Sequence, residues 1–208
     1  MQPLTHEQSQ QITSDSRNGF CYLMLLLYLF FVLVRVHEYL PLFKGVPVMP
    51  VLLGTATLVW IFNKRTFATP SQHTLMPVLL FVMYLTTAVN IGFSEAGEVV
   101  GKFLSVILLY YLIVDAIDRP SRFKGLFRLM IAAAVVMALH GVQQSIDGIG
   151  WTGMDTINGR IRYIGIFQDP NDMGLFFITV LPMLAYMIKS GKFFPRLIYL
   201  TALSIIAY

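Results

Sequence analysis

The chain holds 208 residues, of which 56% are hydrophobic and 12% charged, with a formal net charge of +4 and a mean hydropathy of +0.68. This composition excludes an ordinary soluble domain and predicts an integral membrane protein. The single cysteine, Cys21, excludes an internal disulfide and a cysteine-based metal cluster. The basic residues fall at the ends of apolar runs, so membrane topology accounts for the net charge and no nucleic-acid partner is expected.

A hydrocarbon core roughly 30 Å thick needs about 20 apolar residues per helical span. Runs such as Tyr22 to Val34 are apolar on every side, whereas barrel strands alternate. The expected fold class is therefore all-α, a polytopic transmembrane helix bundle.

In chain order, residues 1–18 read as a polar cytoplasmic N-terminal tail, short of bulky apolar side chains and expected to be disordered. The next apolar run has no small-residue cleavage site after it and reads as a retained span. Helices are expected over Gly19 to Val36, Val48 to Phe62, Leu75 to Gly92, Val99 to Ile117, Leu126 to Ile146, Met173 to Ile188, and from Leu197 to the end. Residues 19–208 thus form a transmembrane helical bundle of about seven spans. The last is too short to cross a bilayer, which suggests a truncated chain.

Orientation follows from positive residues held on the cytoplasmic side. Of the 15 Lys and Arg, one alternating set of segments carries Arg17, Lys64, Arg65, Arg119, Arg122, Lys124, Arg128, Lys189, Lys192 and Arg196. The other carries Arg35, Lys44, Lys102, Arg160 and Arg162. The N-terminus is expected inside and the loop 147–172 outside, where Arg160 and Arg162 stand against the bias.

That loop ends in GRIRYIGIFQDPND, from Gly159 to Asp172. Arg160 and Arg162 supply fixed positive charge and forked donors suited to phosphate, although lipid headgroups would engage them equally well. Asp169 reads as a helix N-cap, Pro170 as the first helical residue and Asp172 as its acidic first turn. The helix start, with Asn171 and Asp172, could face an anion, or could simply begin a helix.

Before the loop, His140, Gln143, Gln144 and Asp147 share one face of a helix. Such groups avoid lipid and point into the bundle or a wet cavity. They form either a hydrogen-bond network or, for His140 and Gln144, part of a binding surface. His140 as a general base is a weaker suggestion. Asn90 and Asp115 lie near span ends within reach of water. Gly97 and Gly101 form a GxxxG that would allow close helix contact, and Pro182 falls inside the sixth span. No GxxxxGK, HExxH, GxSxG or CxxC pattern occurs, so neither a metal nor a nucleotide cofactor is expected.

The segment Arg162-Tyr-Ile-Gly165-Ile-Phe-Gln-Asp-Pro170-Asn171-Asp172 resembles the O-antigen ligase and polymerase family, and RVHEYLPLFKGVP after the first span resembles its exosortase-associated members. The likeness covers nearly the whole chain in hydropathy and about a dozen residues in letters. It implies a glycosyltransferase of the bacterial inner membrane. Such an enzyme moves a glycan from undecaprenyl pyrophosphate to a glycan, lipid or protein acceptor on the outer face. It implies Arg162 as the catalytic arginine on the carrier's phosphates; Arg160 joins it on charge alone. Family chains also carry a later outer loop with another arginine and a histidine, which this chain lacks, so activity from these residues alone is not expected. A lipid-linked glycan flippase or transporter, or a nonenzymatic truncated product, are the competing readings.

Overall fold

The computed structural model describes residues 6–43, 45–63, 71–191 and 193–207. Lys44, Lys64, Arg65 and Lys192 of the charge count, and residues 1–5 of the polar tail, lie outside them. Among the described residues there are eight α-helices and no strand: α1 His6–Val34, α2 Val36–Tyr39, α3 Val48–Asn63, α4 Ser71–Asn90, α5 Phe93–Ala116, α6 Pro120–Asp147, α7 Pro170–Ser190 and α8 Phe193–Ala207. Single turns of 3-10 helix occur at Pro41–Phe43 and Gly165–Phe167.

Four stretches are long and apolar enough to cross a membrane: Gln72–Asn90 in α4, and α5, α6 and α7. The other apolar helices, Gly19–Val34, Val48–Phe62 and Pro195–Ile206, are shorter, so of the about seven spans expected, four are of spanning length among the described residues. The reason is rise per residue. The 16 residues of α3 extend only about 24 Å, less than the roughly 30 Å of a hydrocarbon core.

Helix starts also differ from expectation. α1 begins at His6, inside the tail expected to be disordered, because nothing from His6 to Asn18 is a glycine or proline that would stop a helix propagated from its apolar half. α4, α5 and α6 likewise begin before their apolar runs, on the polar turns at Ser71, Phe93 and Pro120. Hydropathy locates the part of a helix that is apolar, whereas the helix itself extends until its backbone is capped.

The chain divides into two compact units, one made of residues 1–25 with 50–118 and the other of residues 26–49 with 119–208. In the first, α4 and α5 form an antiparallel pair turned at Ile91 and Gly92, the glycine amide donating to the Thr87 carbonyl at 3.1 Å. At the opposite end of that pair, Trp60 Nε1 donates to Asp115 Oδ2 at 2.6 Å and Tyr111 donates to the His73 carbonyl at 2.8 Å. Asp115, expected to meet water or headgroups, thus has an indole partner. Nothing packs on Gly97 or Gly101, so the GxxxG makes no close helix contact among the described residues.

In the second unit α6, α7 and α8 pack on one another and on the last turns of α1. Met173, Phe176, Val180, Leu184 and Met187 of α7 recur at spacings of three and four, the period of a helical stripe, and are all buried. Ala133, Ala134 and Ala138 on α6 keep that helix close to its neighbours. Leu175 and Ile178, on the other face of α7, are exposed apolar residues, as a lipid-facing surface requires.

Candidate functional site

Within the second unit, the C-terminal end of α1, the C-terminal end of α6 and the N-terminal end of α7 lie together. The loop 148–169 ties them to one another. Tyr163 is wholly buried and its hydroxyl donates to the Val34 carbonyl at 2.8 Å. Burial, followed by the influence of Tyr39, pushes the Tyr163 phenol far above the usual tyrosine range, so it stays a neutral donor.

The loop is folded throughout. α6 stops at Gly148, whose left-handed backbone (φ 77°) returns its amide to the Gln144 carbonyl. Gly150 and Met154 close a first turn, with the Gly150 amide on the Met154 carbonyl at 2.9 Å. Ile157 and Arg160 then exchange two backbone hydrogen bonds of 3.0 and 2.9 Å across Asn158 and Gly159, both with positive φ (51° and 72°). That is a type I′ turn, for which Asn-Gly is the favoured pair. The signal stood in the sequence as Ile157-Asn158-Gly159-Arg160, and the hydropathy reading passed over it.

The polar face of α6 supports this loop from beneath. Gln144 is wholly buried: its amide nitrogen donates to the Met154 carbonyl and its oxygen accepts from the Arg162 amide, each at 2.8 Å. Gln143 accepts from the Trp151 amide at 2.9 Å. His140, also wholly buried, meets the Thr152 hydroxyl through Nε2 at 2.8 Å and lies between the rings of Trp151 and Tyr163, each 4.9 Å away edge to face. A Cβ on Gly150 would overlap the His140 ring, which explains the glycine there. His140 and Gln144, expected to touch substrate, therefore present no accessible atom. The His140 Nε2 and the Gln144 amide hold the loop against α6, while of the expected stripe Asp147 is exposed and Gln143 half-buried.

The two arginines part company. Arg162 is folded onto the loop. Its Nε donates to the Asp155 carbonyl at 2.8 Å and its guanidinium grips the Asp155 carboxylate. That fork holds the Asp155 carboxyl below the usual aspartate range. Arg160, at the hairpin tip, is exposed, and its side chain has no hydrogen-bond or ion-pair partner among the described residues. It stands at the rim of a groove of about 370 Å³ between Gly159 and Ile161 on one side and Pro170, Met173, Gly174 and Phe177 on the other. Apart from Arg160, those side chains are apolar. No three His, Cys, Asp or Glu side chains among the described residues converge as a metal site would require.

The start of α7 follows the sequence expectation. Asp169 caps the helix, accepting from the Asn171 amide at 2.8 Å, and Pro170 occupies the first turn. Asn171 and Asp172 are exposed. Because the cap carboxylate already satisfies the Asn171 amide, that donor does not reach an anion.

The segment after α1 also belongs here. Arg35 has a left-handed backbone (φ 53°, ψ 36°), pairs with Glu38 at 2.5 Å, and lies against Gly165, where an added Cβ would come within 2.5 Å of the Arg35 Cζ. The two sequence stretches that carried the family resemblance therefore meet, at Arg35 and Gly165. Hydropathy could not show that meeting, since it needs the relative placement of α1, α6 and α7. No protein-family model, curated protein or solved structure matches the chain.

Proposed function

We propose that this chain belongs to a membrane glycan ligase or polymerase of the O-antigen ligase type, acting on a glycan carried by undecaprenyl pyrophosphate at the outer face of the bacterial inner membrane. The observation that carries the reading is the pairing of an unpartnered arginine, Arg160, with an apolar groove at the start of a helix long enough to span a membrane. A lipid diphosphate is an amphiphile of that pattern, with a charged head and a chain that must leave water. Arg162 stands two residues further on, its fork already matched to an anion, the Asp155 carboxylate.

In this reading the shorter apolar helices complete a bundle of about seven spans by locally thinning the bilayer. The N-terminus lies in the cytoplasm. Arg160 and Arg162 neutralise charge on the departing diphosphate while an acceptor hydroxyl takes the sugar, which is electrostatic catalysis in a partly dry site. Asn171 and Asp172 line the approach to it.

Two measurements test this. Asn158→Cys places a reporter at the hairpin tip, and a membrane-impermeant maleimide should label it in intact cells; labelling only after permeabilisation refutes the orientation. Arg162→Ala should abolish transfer from a labelled lipid-linked glycan in cells while leaving the protein's membrane level unchanged. Retained transfer refutes the assignment of Arg162. Movement of the lipid-linked glycan without release of carrier diphosphate would identify a flippase instead.

A further inference from the structure

We propose that Arg35, paired with Glu38 over the bare backbone of Gly165, is a second anion-binding residue of this site, taking the oxygens of a lipid diphosphate together with Arg162. The inference rests on the functional reading above, and adds a residue and a segment that composition and hydropathy gave no role.

Three observations converge on it. First, Arg35 is held in the left-handed region (φ 53°), a conformation disfavoured for any residue with a side chain. A strained residue at a helix end is retained where its placement matters. Second, its guanidinium is half used. Glu38 takes one terminal nitrogen at 2.5 Å, while Nε is buried with no partner, a costly state for a charged donor group. The side chain as a whole keeps 24% of its surface exposed, so it remains open to a ligand. Third, the approach to Gly165 is possible only without a Cβ. Gly165 lies three residues beyond Arg162, at most about 11 Å along an extended chain, so the backbone segment that carries Arg162 also receives Arg35. One guanidinium carried by the loop itself and one brought to it from the end of α1 suit a ligand with two phosphate groups better than a single carboxylate does.

Glu38 is then a counter-ion that the ligand must compete with, and this separates a binding role from a bracing one. The test uses the full chain in nanodiscs, with a C15 prenyl diphosphate as probe and the fluorescence of Trp151, beside His140 in the same loop, as readout. Trp60→Phe removes the other indole signal. In neutral phosphatidylcholine discs the chain should bind the probe. Arg35→Gln should weaken binding about ten- to a hundredfold, the loss expected for a hydrogen bond between charged groups, and Arg35→Lys should weaken it less. Glu38→Gln should tighten binding severalfold, because the competing carboxylate is gone.

If Arg35→Gln binds within threefold of the unaltered chain while Arg160→Gln and Arg162→Lys lose binding, the Arg35 assignment fails and the functional reading stands. If Glu38→Gln weakens binding as Arg35→Gln does, the pair is a brace and the assignment fails. An unaltered chain that binds no prenyl diphosphate overturns both readings. Discs containing phosphatidylglycerol distinguish the phosphate source. Binding should persist in them, and its complete suppression would assign Arg35 to lipid headgroups and overturn the diphosphate proposal.

Discussion

Replacing Gln144 by leucine should release the loop 148–169 while leaving α6 intact. Gln144 is wholly buried and joins two points of the loop that are distant along the chain, the Met154 carbonyl and the Arg162 amide. Leucine has similar bulk but neither a donor nor an acceptor, so the Arg162 amide loses its acceptor and the Met154 carbonyl keeps only the Gly150 amide, in a site that excludes water. An unsatisfied buried group costs about 1–3 kcal/mol. One such group, the Arg162 amide, sets the loss at about 1–3 kcal/mol. Every 1.4 kcal/mol is a factor of ten, so the loop should open roughly 5 to 140 times more often. Hydrogen exchange of the chain in nanodiscs reads this directly. The informative amides are those not themselves bonded to Gln144: Gly150 on Met154, Ile157 on Arg160 and Tyr163 on Phe167. Gln144→Glu, which keeps the acceptor for Arg162 but sets a carboxylate oxygen against the Met154 carbonyl, should behave similarly. An acceleration below threefold at all three amides in Gln144→Leu would refute the view that this side chain holds the loop.

Three further outcomes follow from the same region. Gly150→Ala drives a Cβ into the His140 ring and should lower stability by about 1–3 kcal/mol; adding His140→Ala should recover at least half of that loss in thermal denaturation, and strict additivity would refute the contact. Gly159→Val should cost about 1–2 kcal/mol through its left-handed backbone alone, since the space around the glycine is open, whereas Gly159→Asn should cost less than half as much, read from exchange at Ile157. Burial, then Arg35, lowers the His37 pKa from 6.5 against an opposing influence of Glu38. The folded chain therefore binds a proton less readily than the unfolded one. Stability should be unaffected above pH 6.5 and fall as the pH drops from there towards the lowered value; His37→Phe should remove this dependence in thermal midpoints measured from pH 7.5 to about 5, and an unchanged dependence would refute it.

Much of this architecture was legible in the sequence, for physical reasons that particular residues illustrate. Apolar runs marked the cores of the helices because burying polar groups in lipid is prohibitive. The cap at Asp169 with Pro170 after it was visible because its chemistry is local. The stripe from His140 to Asp147 showed as one face because helical geometry fixes who shares a side. What that face touches was not legible, since the partners of Gln144 are set by how the loop returns over it. The number of spans of crossing length was overestimated because apolar content says where a helix is greasy, and α3 is greasy but short. Arg162 and Arg160 looked equivalent in the sequence and differ in the structure, for only Arg162 lies where Asp155 can close on it. The encounter of Arg35 with Gly165 is a product of tertiary packing, and no local pattern in either segment encodes it.

The bond from Tyr163 to Val34 also sets a timetable for biosynthesis. Its two ends are 129 residues apart. At about 5–20 residues per second the ribosome takes on the order of 6–26 s to cover that distance, and through that interval the Val34 carbonyl must be satisfied by something other than its final donor. The end of α1 is consequently late in acquiring its native neighbours, and insertion machinery or bound water must shield it meanwhile. A ribosome stalled before residue 163 would release a chain in which that carbonyl never meets its donor, a ready substrate for membrane quality control.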